Sequence, residues 1–198
     1  MINNLKVYGL EDSIVGAKYP MSTNIDNLTS DMTKGIHALG MSEIGSGHDN
    51  WLNGPTVIFD LTATNKFWIE MERYHFIDFI SSQSTMHRIT KFDLSKSYIK
   101  YVDHRMIDIM QEKINEYNRI AETGNDEDKK LLPELYLGIL YSNPAGFTLT
   151  ARMRTNYRQL KTIYRQRHDH RLPEWRELCE ELKKFPYSEF ITMEETNG

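Results

Sequence analysis

Residues 56–75 change their hydrophobic period in the middle of a run, and that change limits the folds open to the chain. From Thr56 to Thr62 the sequence alternates around Val57, Phe59 and Leu61, the pattern of a strand with one buried face. From Asn65 onward Phe67, Trp68, Met71, Tyr74 and His75 recur at helical spacing. A strand feeding directly into an amphipathic helix needs both a sheet and a helical layer. The class that follows is α/β in the α+β sense: a central mixed sheet with several long helices.

The remaining elements are read around this pair. Leu5 to Gly9 predicts a short strand followed by loop, and Thr29 or Ser30 would cap a helix ending near Gly40. GSGHDNWLNGP reads as loop, and FIDFISSQSTMHRI as an ordered loop or short strand, being β-branched and rich in Ser and Thr. Val102, Met106, Ile109, Met110, Ile114, Tyr117 and Ile120 mark a long helix that ends at an exposed TGNDEDKK tip. A helix is expected over Leu131 to Leu140 and a long one from Thr148 to His168. Pro173 should open a final helix with the apolar stripe Trp175, Leu178, Cys179 and Leu182.

Length and charge exclude several classes. At 198 residues and 39% hydrophobic content the expectation is a single domain with one sizeable core. A formal charge of -4 argues against a general nucleic-acid coat, which needs net positive charge to neutralise phosphates. The longest apolar run, Leu135 to Tyr141, is too short to cross a bilayer, and no secretory leader is expected in MINNLKVYGLEDS. A lone Cys179 rules out an intrachain disulfide and fits a reducing, cytoplasmic compartment. On the apolar stripe it reads as a packed thiol rather than a nucleophile. His168 and His170 stand two apart, which is not ligand spacing on a helix, so no metal is expected.

Within this acidic chain, Arg152, Arg154, Arg158, Lys161, Arg165, Arg167, Arg171 and Arg176 face only Asp169 and Glu174. Seven of these eight cations are arginines, whose planar fork suits phosphate and carboxylate. Composition alone favours a solvated helix face. Spacing adds that Asn156, Leu160, Ile163 and Arg167 would share one face, a polar residue and a cation bracketing an apolar stripe. Both a ligand cleft and an interface helix fit that pattern.

The segment TNYRQLKTIYRQRHDHRLPEW resembles the last helical motif of the flavin-dependent thymidylate synthases, N-x-R-x-L followed by an Arg, a His and a Trp. The matching positions are Asn156, Arg158, Leu160, Arg167, His170 and Trp175. Upstream, residues 45–76 resemble the family's His-containing loop, strand and helix, leading into its R-H-R-x2-S-x-N-E-x-S-x-R-Y signature. There His75 and Ser84 match, while Tyr74, Phe76, Ser81, Ser82 and Met86 stand where the family has other residues; Arg88 lies two places further on. Leu140 occupies the arginine position of the family's A-R-x-x-L-P element.

The resemblance implies conversion of deoxyuridylate (dUMP) to thymidylate with FAD, NADPH and a methylenetetrahydrofolate donor, in a cytoplasmic homotetramer. It implies FAD contacts at His48, His75, Ser82, Asn156 and Arg158, nucleotide contacts at Ser84, Arg88 and Arg167, and base polarisation by Arg167. Without it, His75 reads as a hydrogen-bonded core histidine, His48 as a turn residue and SSQST as an ordinary loop. A second reading is a non-catalytic oligomeric nucleotide- or flavin-binding protein that kept the fold. Leu140, Phe76, Tyr74 and Met86 favour it, because each removes a charge or hydrogen-bonding group expected near anionic ligands. A third is a nucleic-acid module using the arginines, distinguished by salt-dependent affinity.

Overall fold

The computed structural model describes residues 1–194. In chain order it contains β1 (Ile2–Tyr8), α1 (Leu10–Ala17), α2 (Lys34–Gly40), β2 (Thr56–Thr64), α3 (Asn65–Met71) and β3 (Asp78–Ser82). These are followed by α4 (Thr85–Arg88), α5 (His104–Thr123), α6 (Asp126–Lys129) and α7 (Leu132–Ser142). β4 (Thr148–Thr155), α8 (Tyr157–Arg167), α9 (Pro173–Leu182) and α10 (Glu189–Thr192) complete it. The four strands form one sheet in the order β1-β2-β4-β3, so the α+β class stands. No helix among the described residues is long and apolar enough to cross a membrane.

β2 and α3 lie where the change of period put them. Val57, Phe59 and Leu61 are fully buried along β2, and Phe67, Trp68 and Met71 are buried along α3. α3 stops at Met71, so Tyr74 and His75 fall in the turn before β3, and His75 is exposed rather than a core histidine. β1 pairs antiparallel with β2 from Ile2 opposite Leu61 to Tyr8 opposite Thr56. The register shifts between Asn3 and Lys6, where Asn4 takes φ 52, a left-handed value asparagine tolerates.

Three expectations are corrected. The helix expected from Thr29 or Ser30 starts at Lys34, because Thr33 is the cap: its hydroxyl accepts from Ile36 N–H at 3.3 Å, while Thr29 donates to Asp31 instead. The loop expected after the first strand holds α1, whose single buried residue, Ile14, leaves little periodic signal. The long helix expected over Thr148 to His168 is a strand and a helix. Residues 151–155 alternate buried Ala151, Met153 and Thr155 with exposed Arg152 and Arg154, and Asn156 then turns the chain. The Asn156 side chain accepts from Gln159 N–H at 2.8 Å, closing the first turn of α8.

The segment 77–90 yields the short strand β3 and a single helical turn, α4. The exposed tip after α5 carries α6, where Asn125 and Asp128 form a capping box. α9 begins at Pro173 as expected, and Trp175, Leu178, Cys179 and Leu182 are all buried. Burial pushes the Cys179 thiol up to about 12, so it stays protonated as a packed core group.

The chain divides into two compact units. One comprises Met1–Leu61, Glu72–Ser81 and the chain from Ala151 onward; the other comprises Thr62–Met71 and Ser82–Thr150. In the first, α8 packs on α9 and α10, and its Tyr157, Leu160 and Ile163 are buried. Gly40 marks a close approach there, since a Cβ would sit 2.6 Å from the Phe190 ring. In the second, α5 packs on α7 around Ile89, Met110, Ile114, Ile139 and Phe147. The Phe92 and Tyr98 rings each meet Phe147 edge-on at 5.2 Å.

Candidate functional site

In the first unit the inward face of α8 carries a charge. Lys161 is fully buried, and its ammonium donates to the carbonyls of Gly40 at 2.9 Å and Ser42 at 2.5 Å. It also reaches Asp49 Oδ2 at 3.3 Å, and Asp49 is itself fully buried. Arg158 Nε stands 3.2 Å from Asp49 Oδ1, an ion pair without hydrogen-bond alignment. One buried carboxylate therefore answers two cations from successive turns of one helix. Desolvation pulls the Lys161 ammonium below its ordinary pKa, and Asp49 opposes that shift. Asp49 had no local signal in the sequence; Lys161 did, since it falls between Tyr157 and Tyr164 on the buried stripe.

Arg167, at the last position of α8, is held by aromatic rings. Its guanidinium lies 4.6 Å from the Trp175 centroid and 5.4 Å from that of Tyr74, and Nε donates to the Tyr74 hydroxyl at 2.6 Å. The Tyr74 hydroxyl in turn donates to Gln166 at 3.0 Å. This packing fixes the plane of the fork, and Tyr74 gains a role the sequence did not indicate.

The arginines of β4 are also paired. Arg152 makes two hydrogen bonds to Asp60, at 2.7 and 2.9 Å, and Asn4 donates to the same carboxylate at 2.6 Å. These bonds, led by that from Arg152, lower the Asp60 pKa to about 2. Arg154 pairs with Asp78 at 2.8 Å. The expected solvated helix face is corrected accordingly: Arg152 and Arg154 belong to a strand and bridge to acids distant in sequence.

Of the other residues proposed from the sequence, His48 sits in a turn after Gly47, which takes φ 80, and its imidazole is exposed. Among the described residues the His48 and His75 side chains have no hydrogen-bond partner. Asn156 serves α8 as its cap, as above, and Ser82 ends β3, exposed. Ser84 precedes α4 without capping it by its side chain, and Arg88 ends α4.

In the second unit Ser84 and Arg88 line a common cavity of about 390 Å³ with Gln83, Lys91, Phe92 and Asp93. Gln83 is pinned there from both sides: its N–H donates to Thr150 O at 3.0 Å, and its side chain accepts from Thr150 N–H at 2.9 Å. Asp93 is bonded to Ser95 and paired with Lys96. Arg88 and Lys91 have no acid partner among the described residues. A hydroxyl beside two such cations is a chemistry that fits a phosphate. No set of three His, Cys, Asp or Glu side chains able to hold a metal ion occurs among the described residues.

No protein-family model matches the chain, and no curated protein sequence matches it. Solved structures do match. The crystal structure of the flavin-dependent thymidylate synthase ThyX from Helicobacter pylori, complexed with FAD and dUMP, superposes with a TM-score of 0.67 at 12% identity, covering 97% of this chain and 98% of that one. A further Helicobacter pylori ThyX structure with FAD and dUMP gives 0.68 at 11% identity, with coverage of 97% and 98%. At such identities the likeness is one of fold, and the chain has the fold of these flavin-dependent thymidylate synthase structures.

Proposed function

We propose that the chain binds a flavin and a pyrimidine nucleotide as a diverged flavin-dependent thymidylate synthase or related nucleotide-modifying enzyme. The observation that carries this reading is the fold likeness, spanning 97% of the chain, to a protein complexed with FAD and dUMP. In this reading Ser84 and Arg88 hold the nucleotide phosphate, supported by their shared cavity and by the unpaired Arg88 charge. Arg167 donates to the base carbonyl, its fork oriented in advance by Trp175 and Tyr74. His48, His75, Ser82, Asn156 and Arg158 hold FAD. The exposed, unpartnered imidazoles of His48 and His75 suit its phosphates, and Arg158 keeps 30% of its side chain exposed beside Asp49. Bound FAD would supply the redox chemistry, with NADPH as reductant and methylenetetrahydrofolate as one-carbon donor. The protein would work in the cytoplasm as a homo-oligomer, a tetramer, using edge strand β3, where Phe79 and Ile80 are 45% and 52% exposed.

The second reading, a binding protein without catalysis, is favoured by one specific observation. Arg158 and Arg167 already have internal partners, Asp49 for the first and Tyr74 with Trp175 for the second. Isothermal titration of the parent, Arg167→Ala, Arg167→Lys and Arg158→Ala with dUMP and with FAD tests the site. Arg167→Ala should weaken dUMP binding ten-fold or more, about 1.4 kcal/mol per factor of ten, and Arg167→Lys should rescue poorly because it lacks the planar fork. Equal affinities across all four proteins would remove the ligand site from α8.

A further inference from the structure

A cavity of the second unit has an aliphatic wall that the nucleotide reading does not use. About 780 Å³ in volume, it opens between α4 with the turn after it, the C-terminal half of α5, and α7. That volume lies within the usual range of small-molecule sites. Its two sides differ in kind. Along α4 and the following turn stand His87, Arg88 and Lys91, all exposed and none paired with an acid among the described residues. In this unit Lys66 is paired with Glu70, Arg105 with Asp103 and Lys130 with Glu127, whereas Lys113, Arg119 and Lys129, like the basic residues of the cavity, have no acid partner among the described residues.

Along α7 the wall is aliphatic. Leu132, Leu137 and Leu140 line it with Pro133, and Leu137 is 48% exposed. Tyr136 contributes its ring, which tilts against Tyr117 at 5.2 Å, and its hydroxyl donates to Thr85 O at 3.4 Å. No side-chain amide or carboxylate from α7 lines the cavity; its polar residues besides the three basic side chains and Thr90 are Tyr117, Asn118 and Glu122 of α5 and Tyr136 of α7. A nucleobase needs paired donors and acceptors facing its edge, and a leucine wall offers none. An aliphatic chain needs only surface to cover.

We propose that this cavity binds an anionic amphiphile, with a carboxylate or phosphate head on His87, Arg88 and Lys91 and an aliphatic tail along Leu132, Leu137 and Leu140. Glu122, the one acid lining the cavity, excludes an anionic head from its own side and so favours a single orientation. The site shares Arg88 and Lys91 with the proposed phosphate site, and is set apart from it by the tail wall, which belongs to this cavity alone.

The test is isothermal titration, at low ionic strength and below micelle formation, with decanoate, decyl phosphate, decyl glucoside and inorganic phosphate. Decanoate or decyl phosphate should bind one per chain, the tighter of the two identifying the head group. Decyl glucoside and inorganic phosphate should each bind at least ten-fold more weakly, lacking head charge or tail. Leu137→Asp, at a half-exposed position, should abolish decanoate and decyl phosphate binding while FAD binding is retained, and the double variant His87→Gln, Lys91→Gln should weaken it ten-fold or more. Equal affinity for decyl glucoside, or parent-like binding by Leu137→Asp, would overturn the proposal. So would a Leu137→Asp variant that loses dUMP binding from a parent that ignores both anionic amphiphiles, because the cavity would then belong to the nucleotide. If the parent ignores both amphiphiles and Leu137→Asp changes the sedimentation coefficient, this face is an interface between copies and the proposal falls.

Discussion

Along β4 and α8 four positive charges are answered by acids far away in the sequence, Arg152 by Asp60, Arg154 by Asp78, and Arg158 and Lys161 by Asp49, while Arg165 is exposed without an acid partner among the described residues. On α4 and the turn after it, His87, Arg88 and Lys91 stand together with no acid partner among the described residues. Both groups look alike as sequence, each a short run of basic residues in an acidic chain. Their partners separate them. A cation paired across a sheet or inside a core holds parts of the chain together, and its loss registers as stability. A cation left unpaired beside a cavity is available to an anion, and its loss registers as binding.

The sharpest way to break this comparison is at Asp49. Asp49→Ala leaves the ammonium of Lys161 buried without its carboxylate, a change that costs about 3–5 kcal/mol and should lower the urea midpoint correspondingly. Adding Lys161→Met removes the buried charge as well and should recover a large part of that loss. If Asp49→Ala unfolds at the parent's midpoint, the pairing along α8 is not holding the fold. A smaller effect is expected at the junction of β4 and α8. Asn156→Ala removes the cap on Gln159 N–H and should cost about 1 kcal/mol, read from the same unfolding curves.

The smallest effect lies on the open face of the sheet and depends on pH. The Asp60 carboxyl is held at about 2, against an ordinary 3.8, mainly by Arg152. A carboxyl whose pKa is lowered by folding contributes stability above its unfolded value and loses it as pH falls through its folded one. Parent and Arg152→Ala should therefore differ in stability above pH 3.8 and converge as pH falls toward 2. Parallel unfolding curves down to pH 2 would show that the pair contributes nothing.

How much of this was legible depended on the length of each pattern. β2, α5 and α9 carry apolar positions over two turns or more, or over a full alternation, and they fall where the sequence put them. β4 is not legible as a strand because TLTARMRT mixes arginines and threonines, which fit either period, and the helix after it masks the boundary at Asn156. α1 buries one residue and α4 is a single turn, too short for periodicity to register. In the candidate site, Arg167 was visible as a cation at the end of an apolar stripe. Its aromatic clamp was not, because Tyr74 and Trp175 lie far from each other in the chain. Asp49 was hidden for the same reason: it sits in a Gly-rich loop and its partners come from α8. Local pattern identifies elements, whereas partners distant in sequence appear only once the chain is folded.

The proposed function is tested most directly by the visible absorption spectrum of the purified protein, followed by titration with FAD and then dUMP. The protein should be yellow, or colourless and able to take up FAD to one equivalent per chain, with the flavin spectrum shifting when dUMP is added. A colourless protein whose addition leaves the absorption and fluorescence of FAD unchanged, with dUMP present or absent, would contradict the proposed function.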